Sequence, residues 1–280
     1  MQQPDRLNHT KPNSRITIRV GRGTLSFSMP NNDGKVDFEP FIVKSGISMA
    51  ANLREAFKTS DFLTNAPERA RVFIDADVLM IPVDLFDEQQ MEDLFFHSFP
   101  SRGQEMAFHQ DLPDLNAVVV SSINKDLKMV LDDHFREVIL LSAISPVWQH
   151  LYQRSFSGSY RKLYGYFHER RLEVFSFQQY RFKFLNSFDV KHLNDAVFYL
   201  LSVWKYLQLE PQNDELHLVG NLFQDTSSSV TQEREEMLKE LRRFLAKVYT
   251  INPSADFNRA YVTTLKNMPY DLQTFFVKGK

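Results

Sequence analysis

Lys162–His168 (KLYGYFH), Arg171–Phe177 (RLEVFSF) and Tyr180–Phe188 (YRFKFLNSF) decide the fold. Each run alternates aromatic or branched residues with polar ones, and only short turns separate them. That pattern predicts three consecutive antiparallel strands. A helix follows, with Leu193, Ala196, Leu200 and Trp204 on one apolar stripe, Asp189 placed to cap it and Pro211 to end it. Glu215–Val219 (ELHLV) then predicts a strand and Glu233–Ala246 a second helix. Ser229 and Gln232 stand before that helix at capping-box spacing, and Glu235 with Lys239 forms an i,i+4 pair. Lys247–Ile251 (KVYTI) is a last strand, stopped by Pro253. The order is strand, strand, strand, helix, strand, helix, strand.

Working outward, the first half repeats that order without visible identity. Ile16–Val20 and Thr24–Met29 flank a Gly21-Arg22-Gly23 turn, and Phe38–Lys44 is a third strand. A helix over Met49–Phe62 follows, then a strand over Arg71–Asp75 that Val78–Val83 continues. Glu88–Ser98 reads as a helix and Ala117–Ile123 as a buried closing strand. Between the halves, Lys125–Phe135, Val138–Ser142 and Pro146–Gln153 read as helix, strand and helix. Phe99–Asn116 reads as a long loop, broken by Pro100, Gly103 and Pro113. The expected division is a flexible tail over 1–14, a first unit with connecting helices over 15–153 and a second unit over 154–280.

Composition narrows the chemistry. The 280 residues are 43% apolar and 24% charged, which excludes wholesale disorder and collagen-like repeats. A net charge of −2 provides no global field to attract nucleic acid or an anionic membrane. Cys is absent, which excludes thiol nucleophiles, disulfides and Cys-based zinc sites. Only 9 residues are Gly, the residue phosphate-cradling loops use most, whereas 25 are Phe, suited to a thick core or partner-facing patches. The opening fifteen residues are polar, with no signal-peptide or anchor pattern. The longest strongly apolar run, Val138–Ile144, is far short of the roughly 18 residues of a spanning helix. A cytoplasmic protein without a membrane span is expected.

A strand meander followed by helix, strand, helix and strand is the ribonuclease-H-like unit, and its duplication is the actin-like ATPase architecture. The expected fold class is therefore α/β, two ribonuclease-H-like βββαβαβ units. From about Ile16 onward the chain resembles an uncharacterised bacterial family, a domain of unknown function with that fold. It is similar, more distantly, to pilus-assembly and cell-division actin relatives. In the ATP-binding relatives an Asp-x-Gly-Thr-like turn in the first hairpin meets phosphate, and its Asp serves the metal. Gly21-Arg22-Gly23-Thr24 matches that turn except that Gly21 stands where the Asp belongs. The equivalent turn of the second half, His168-Glu169-Arg170-Arg171, has no Gly. A pair of glycines that contacts adenosine in the relatives falls at Gly220-Asn221, with the second Gly missing. The resemblance thus implies a residual nucleotide pocket of Gly21, Gly23, Thr24, Gly220 and Asn221 without hydrolysis. Read as bare sequence, these are three ordinary turns. No cofactor is expected, and ATP with Mg is the one the resemblance suggests.

Other chemistries lack their constellations. Nuclease activity on this fold needs converging carboxylates, one on the first strand, and Ile16–Val20 has none. Asp75 and Asp77 read as solvated strand-end acids rather than metal ligands. His109, Asp111 and Asp114, and His134 after Asp132 and Asp133, lack zinc-protease spacing, and no Gly-x-Ser-x-Gly elbow occurs. Rings and bases interleave along Tyr160–Phe184, but strand alternation puts the rings on one face and the charges on the other, the pattern of a core rather than of nucleic-acid binding. Met106 and Phe108 give the 99–116 loop apolar anchors for an unknown protein partner. The expected function is a non-catalytic binding or scaffold protein. The alternatives are a nucleotide-binding ATPase with diverged phosphate loops and a single-strand nucleic-acid binder.

Overall fold

A computed structural model describes residues 14–278 apart from 32, 101–102, 180 and 221–227. In the first half, β1 (Ile16–Val20), β2 (Leu25–Pro30) and β3 (Val36–Phe41) form the antiparallel meander. α1 (Met49–Thr59) begins where the Ser48 hydroxyl accepts from the Ala51 N–H, and the short α2 (Asp61–Thr64) follows. β4 (Arg69–Ile74) then lies parallel to β1.

The chain next leaves this sheet. β5 (Val78–Pro82), α3 (Met91–Ser98), β6 (Glu105–Leu112) and β7 (Ala117–Asn124) build a separate antiparallel sheet of order β5-β7-β6. Only then come α4 (Lys125–His134), capped by Asn124, and β8 (Glu137–Ser142), which pairs parallel with β4. The second helix and fifth strand of the first unit are therefore α4 and β8, not Glu88–Ser98 and Ala117–Ile123. A buried apolar run such as AVVVSSI is a strand in either sheet, and periodicity cannot say which one it joins. The segment read as a loop contains β6. Phe108 is buried in the first core, so it is not presented as a contact anchor, and Met106 is half-buried against that core.

After α5 (Ser145–Ser155), β9 (Lys162–His168), β10 (Arg171–Gln178) and β11 (Arg181–Asp189) form the second meander. α6 (Leu193–Tyr206) is capped by the Asp195 carboxylate, which accepts from the Lys191 and His192 N–H, rather than by Asp189, which ends β11. β12 (Glu215–Gly220), α7 (Ser228–Arg242) and β13 (Val248–Thr250) complete the unit. The two five-stranded sheets have the same order, β3-β2-β1-β4-β8 and β11-β10-β9-β12-β13. Each buries one face against its own helices: Ile16, Ile18 and Phe27 meet Leu53 and Leu131, while Leu163, Leu172 and Val174 meet Leu200 and Trp204.

The halves share a third core. Trp148 and Leu151 of α5 pack with Tyr164, Tyr166 and Phe175, and with Val119 of the inserted sheet. The chain then returns to the first half through α8 (Pro253–Asp256) and α9 (Tyr270–Lys278). Leu272 joins Phe73 and Ala143, and the Phe275 ring meets Phe73 edge-on with centroids 4.9 Å apart. A large apolar interface of this kind opposes the hinge motion expected of two loosely joined domains. Among the described residues, no helix is long and apolar enough to cross a membrane.

Candidate functional site

The two hairpin turns face one another across the cleft between the sheets. Glu169 and Arg170 form the two-residue turn between β9 and β10, with φ of 42° and 63°. Such turns favour Asn and Gly, because other residues pay a steric cost at positive φ. The Glu169 carboxylate offsets that cost by reaching into the opposite turn. It accepts from the Gly23 N–H at 3.1 Å, from the Thr24 hydroxyl at 2.6 Å and from Nη1 of Arg19 at 2.6 Å. A main-chain N–H, a hydroxyl and a guanidinium make an anion cradle, and here a carboxylate of the same chain fills it. Gly21 makes room: a Cβ there would lie 2.2 Å from Glu169 Oε1. An Asp at this position, as in the ATP-binding relatives, is incompatible with the seated carboxylate.

Arg19 is the centre of the arrangement. It projects from β1 with its side chain only 1% exposed. Nε and Nη2 donate to the Asp271 carboxylate of α9 at 2.8–3.0 Å, and Asp75 lies 3.6 Å from Nη2. Burial alone would lower the Arg19 pKa, but Asp271, Glu169 and Asp75 together raise it well above its ordinary value. Tyr166 donates its hydroxyl to Asp271 at 3.1 Å.

A second layer continues along the cleft. His168 Nδ1 lies 3.0 Å from Asp75, and its Nε2 lies 3.5 Å from Glu173. Burial disfavours the imidazolium, yet these two carboxylates push its pKa up to about 10. Burial would raise the Asp75 pKa, but His168, Arg19 and Arg171 hold it well below the usual carboxylate range. Arg171 bridges Glu173 and Asp77, both at 2.7 Å. At the rim Arg22 reaches Asp189 at 2.9 Å. The pairs of Glu169 with the first turn, Arg19 with Asp271, His168 with Asp75, Arg171 with Asp77 and Arg22 with Asp189 join the first half to the second or to α9. The rings and the charges thus share a face: Tyr164, Tyr166 and His168 of β9 lie beside Arg171 and Glu173 of β10, contrary to the expected separation.

Beside Glu169 a cavity of about 560 Å³ remains, lined by Gly220, Arg234, Asn252, Tyr270 and Gln273 among others. Gly220 has φ of 83°, and a Cβ would sit 2.1 Å from the Phe167 carbonyl oxygen, so only Gly fits. Glu169, which accepts from Gly23 and Thr24, lines this cavity together with Gly220, whereas Gly21, Gly23 and Thr24 themselves do not; Asn221 lies outside the described residues. Among the described residues, no group of three or more His, Asp or Glu is placed to hold a metal ion. Asp75 is buried and paired rather than solvated. Sequence reasoning missed Arg19, Glu169 and Asp271. The available signal was Arg19 itself, a lone base in the apolar strand ITIRV, since a buried cation requires a buried carboxylate.

Order, duplication and cleft define an actin-like ATPase fold. Residues 5–248 match the model of a family described as protein of unknown function (DUF3822), and the chain belongs to that family. It is similar to a protein of Bacteroides thetaiotaomicron VPI-5482 with actin-like ATPase fold and unknown function. That match has 28% identity and a TM-score of 0.79 over 94% of this chain and 95% of the other. It is also similar in fold to the type IV pilus biogenesis complex PilM-PilN, at 12% identity and a TM-score of 0.53 over 94% and 97%. No curated protein matches the sequence.

Proposed function

We propose that this chain is a non-catalytic binding or scaffold module of the cytoplasm, in which the cleft of an actin-like fold is latched by its own carboxylate. The observation that carries the reading is Glu169 seated on the Gly23 N–H, the Thr24 hydroxyl and Arg19. A nucleotide phosphate entering this seat would meet a fixed negative charge at contact distance, and like charges in a partly buried site repel strongly. Gly21 also offers no carboxylate to a metal. The single-strand nucleic-acid reading needs exposed rings, whereas Tyr164, Tyr166 and Phe167 are buried. A partner-binding use is in keeping with PilM, a protein of this fold found in a complex with PilN.

Thermal stability in Mg-ATP tests the reading. A ligand at about 1,000 times its Kd stabilises by about 4 kcal/mol, so millimolar Mg-ATP at a micromolar site would raise the melting temperature by several degrees. No such rise is expected. A clear rise that Gly220→Trp abolishes would overturn the proposal.

A further inference from the structure

Two sheet edges face each other across a groove away from the cleft latch. β5 is an edge of the inserted sheet and β11 an edge of the second five-stranded sheet. The groove between them holds about 590 Å³ and is lined by residues 77–80, 82 and 84 on one side and 181–187 on the other, together with 99, 115–117 and 171. Successive residues of a strand point to opposite faces. A wall made of every residue from 181 to 187 is therefore the strand's edge, where main-chain N–H and C=O groups lie, and not one of its faces. Phe182 and Leu185 are half-buried there and pack with Val78 and Met80 onto the shared core.

The chemistry of the β11 edge selects its occupant. Arg181 and Lys183 are exposed and form no ion pair among the described residues, whereas Arg171 at the groove's end is already paired with Asp77. Lys183 is the extra residue of a bulge, standing between Phe182, which pairs with Phe177, and Phe184, which pairs with Ser176. A lysine and a bulge on an edge discourage indiscriminate sheet growth. A strand that brings carboxylates turns that barrier into ion pairs.

We propose that this groove binds an extended segment of a partner protein by strand addition, the segment alternating apolar and acidic residues. Its main chain pairs with the free edge of β11, its apolar side chains rest on Phe182, Leu185 and Met80, and its carboxylates meet Arg181 and Lys183. The inference rests on the binding-module reading and is independent of the latch at Glu169.

The test uses the full chain and a fluorescein-labelled peptide of repeating Val-Glu, with the repeating Val-Lys peptide as control, followed by anisotropy. The Val-Glu peptide is expected to bind and the Val-Lys peptide not to bind. The double variant Arg181→Glu/Lys183→Glu should weaken Val-Glu binding about tenfold or more and admit Val-Lys. Methylating the main-chain nitrogens of the Val-Glu peptide should weaken binding to a similar degree, since strand addition uses those N–H groups. In the unmodified protein, bound peptide should slow amide exchange over residues 181–187. Absent Val-Glu binding, equal binding by the double variant or by the methylated peptide, or protection elsewhere would each overturn the inference. Such a failure in a protein still indifferent to Mg-ATP removes the groove and leaves the scaffold reading standing. A stabilisation by Mg-ATP removes the scaffold reading, and peptide binding is measured separately.

Discussion

Glu169 Oε1 lies 2.6 Å from the hydroxyl of Thr24, 145 residues earlier in the chain, and accepts its hydrogen bond. That contact joins the turns of the two halves. It requires Gly at position 21 and a strained turn at Glu169 and Arg170, both of which are present. The cleft is consequently a charge-paired joint, backed by the apolar core around Trp148 and Tyr166.

Arg19→Met should destabilise the protein by about 3–5 kcal/mol, because it leaves Asp271 and Asp75 buried without their cation. Urea denaturation measures the loss. A change below about 1 kcal/mol would show that the carboxylates relax to water or to other partners.

Gly21→Asp should also destabilise, by about 2 kcal/mol or more, since its side chain enters the space of the Glu169 carboxylate. Adding Glu169→Gly should recover part of that loss, because it removes the contact with the carboxylate and suits the positive φ, while the Thr24 hydroxyl, also 2.2 Å from that Cβ, remains. A double-mutant cycle reads the coupling, and additive effects would contradict the contact.

Stability should fall at both ends of the pH range. The folded pKa of His168 lies above its ordinary 6.5, so the imidazolium contributes fully below about pH 6.5, and that contribution is lost as pH rises through about 10. Asp75 has the opposite sign: its contribution is full above pH 3.8 and is lost as pH falls through its lowered value. Melting temperature should therefore decline between pH 6.5 and 10, and His168→Gln should flatten that decline. An equally steep alkaline limb in the variant would contradict the assignment.

Tyr166→Ala should cost about 3 kcal/mol or more, because its ring is buried between the halves. Tyr166→Phe should cost only about 1–2 kcal/mol, the value of the lost hydrogen bond to Asp271. Chemical denaturation of both variants separates packing from polar contact.

The meander at residues 162–188 was legible because period-two alternation and short turns are local signals. The inserted sheet was not: Val78–Val83 and Ala117–Ile123 read as strands of the first unit, and nothing local assigns them elsewhere. In β6 the alternation of Met106, Phe108 and Leu112 was present, but Pro100 and Gly103 nearby suggested a loop. Gly21 and Gly23 were legible as a turn, because glycine at a hairpin is a local signal. Glu169 was unreadable as a ligand because its meaning depends on a turn in the other half, and Asp271 because α9 returns across the whole chain to meet Arg19.

In this protein the Glu169 carboxylate holds the cradle formed by the Gly23 N–H, the Thr24 hydroxyl and Arg19. Glu169→Gly empties that seat, leaving the Gly23 N–H, the Thr24 hydroxyl and Arg19 Nη1 without their acceptor. Melting temperatures of the natural protein and this variant, each with and without inorganic phosphate at constant ionic strength, test the claim most directly. The variant should be destabilised and restored by phosphate toward the natural value, and phosphate should leave the natural protein unchanged. A variant that phosphate does not stabilise, or a natural protein that gains as much from it, would contradict the claim.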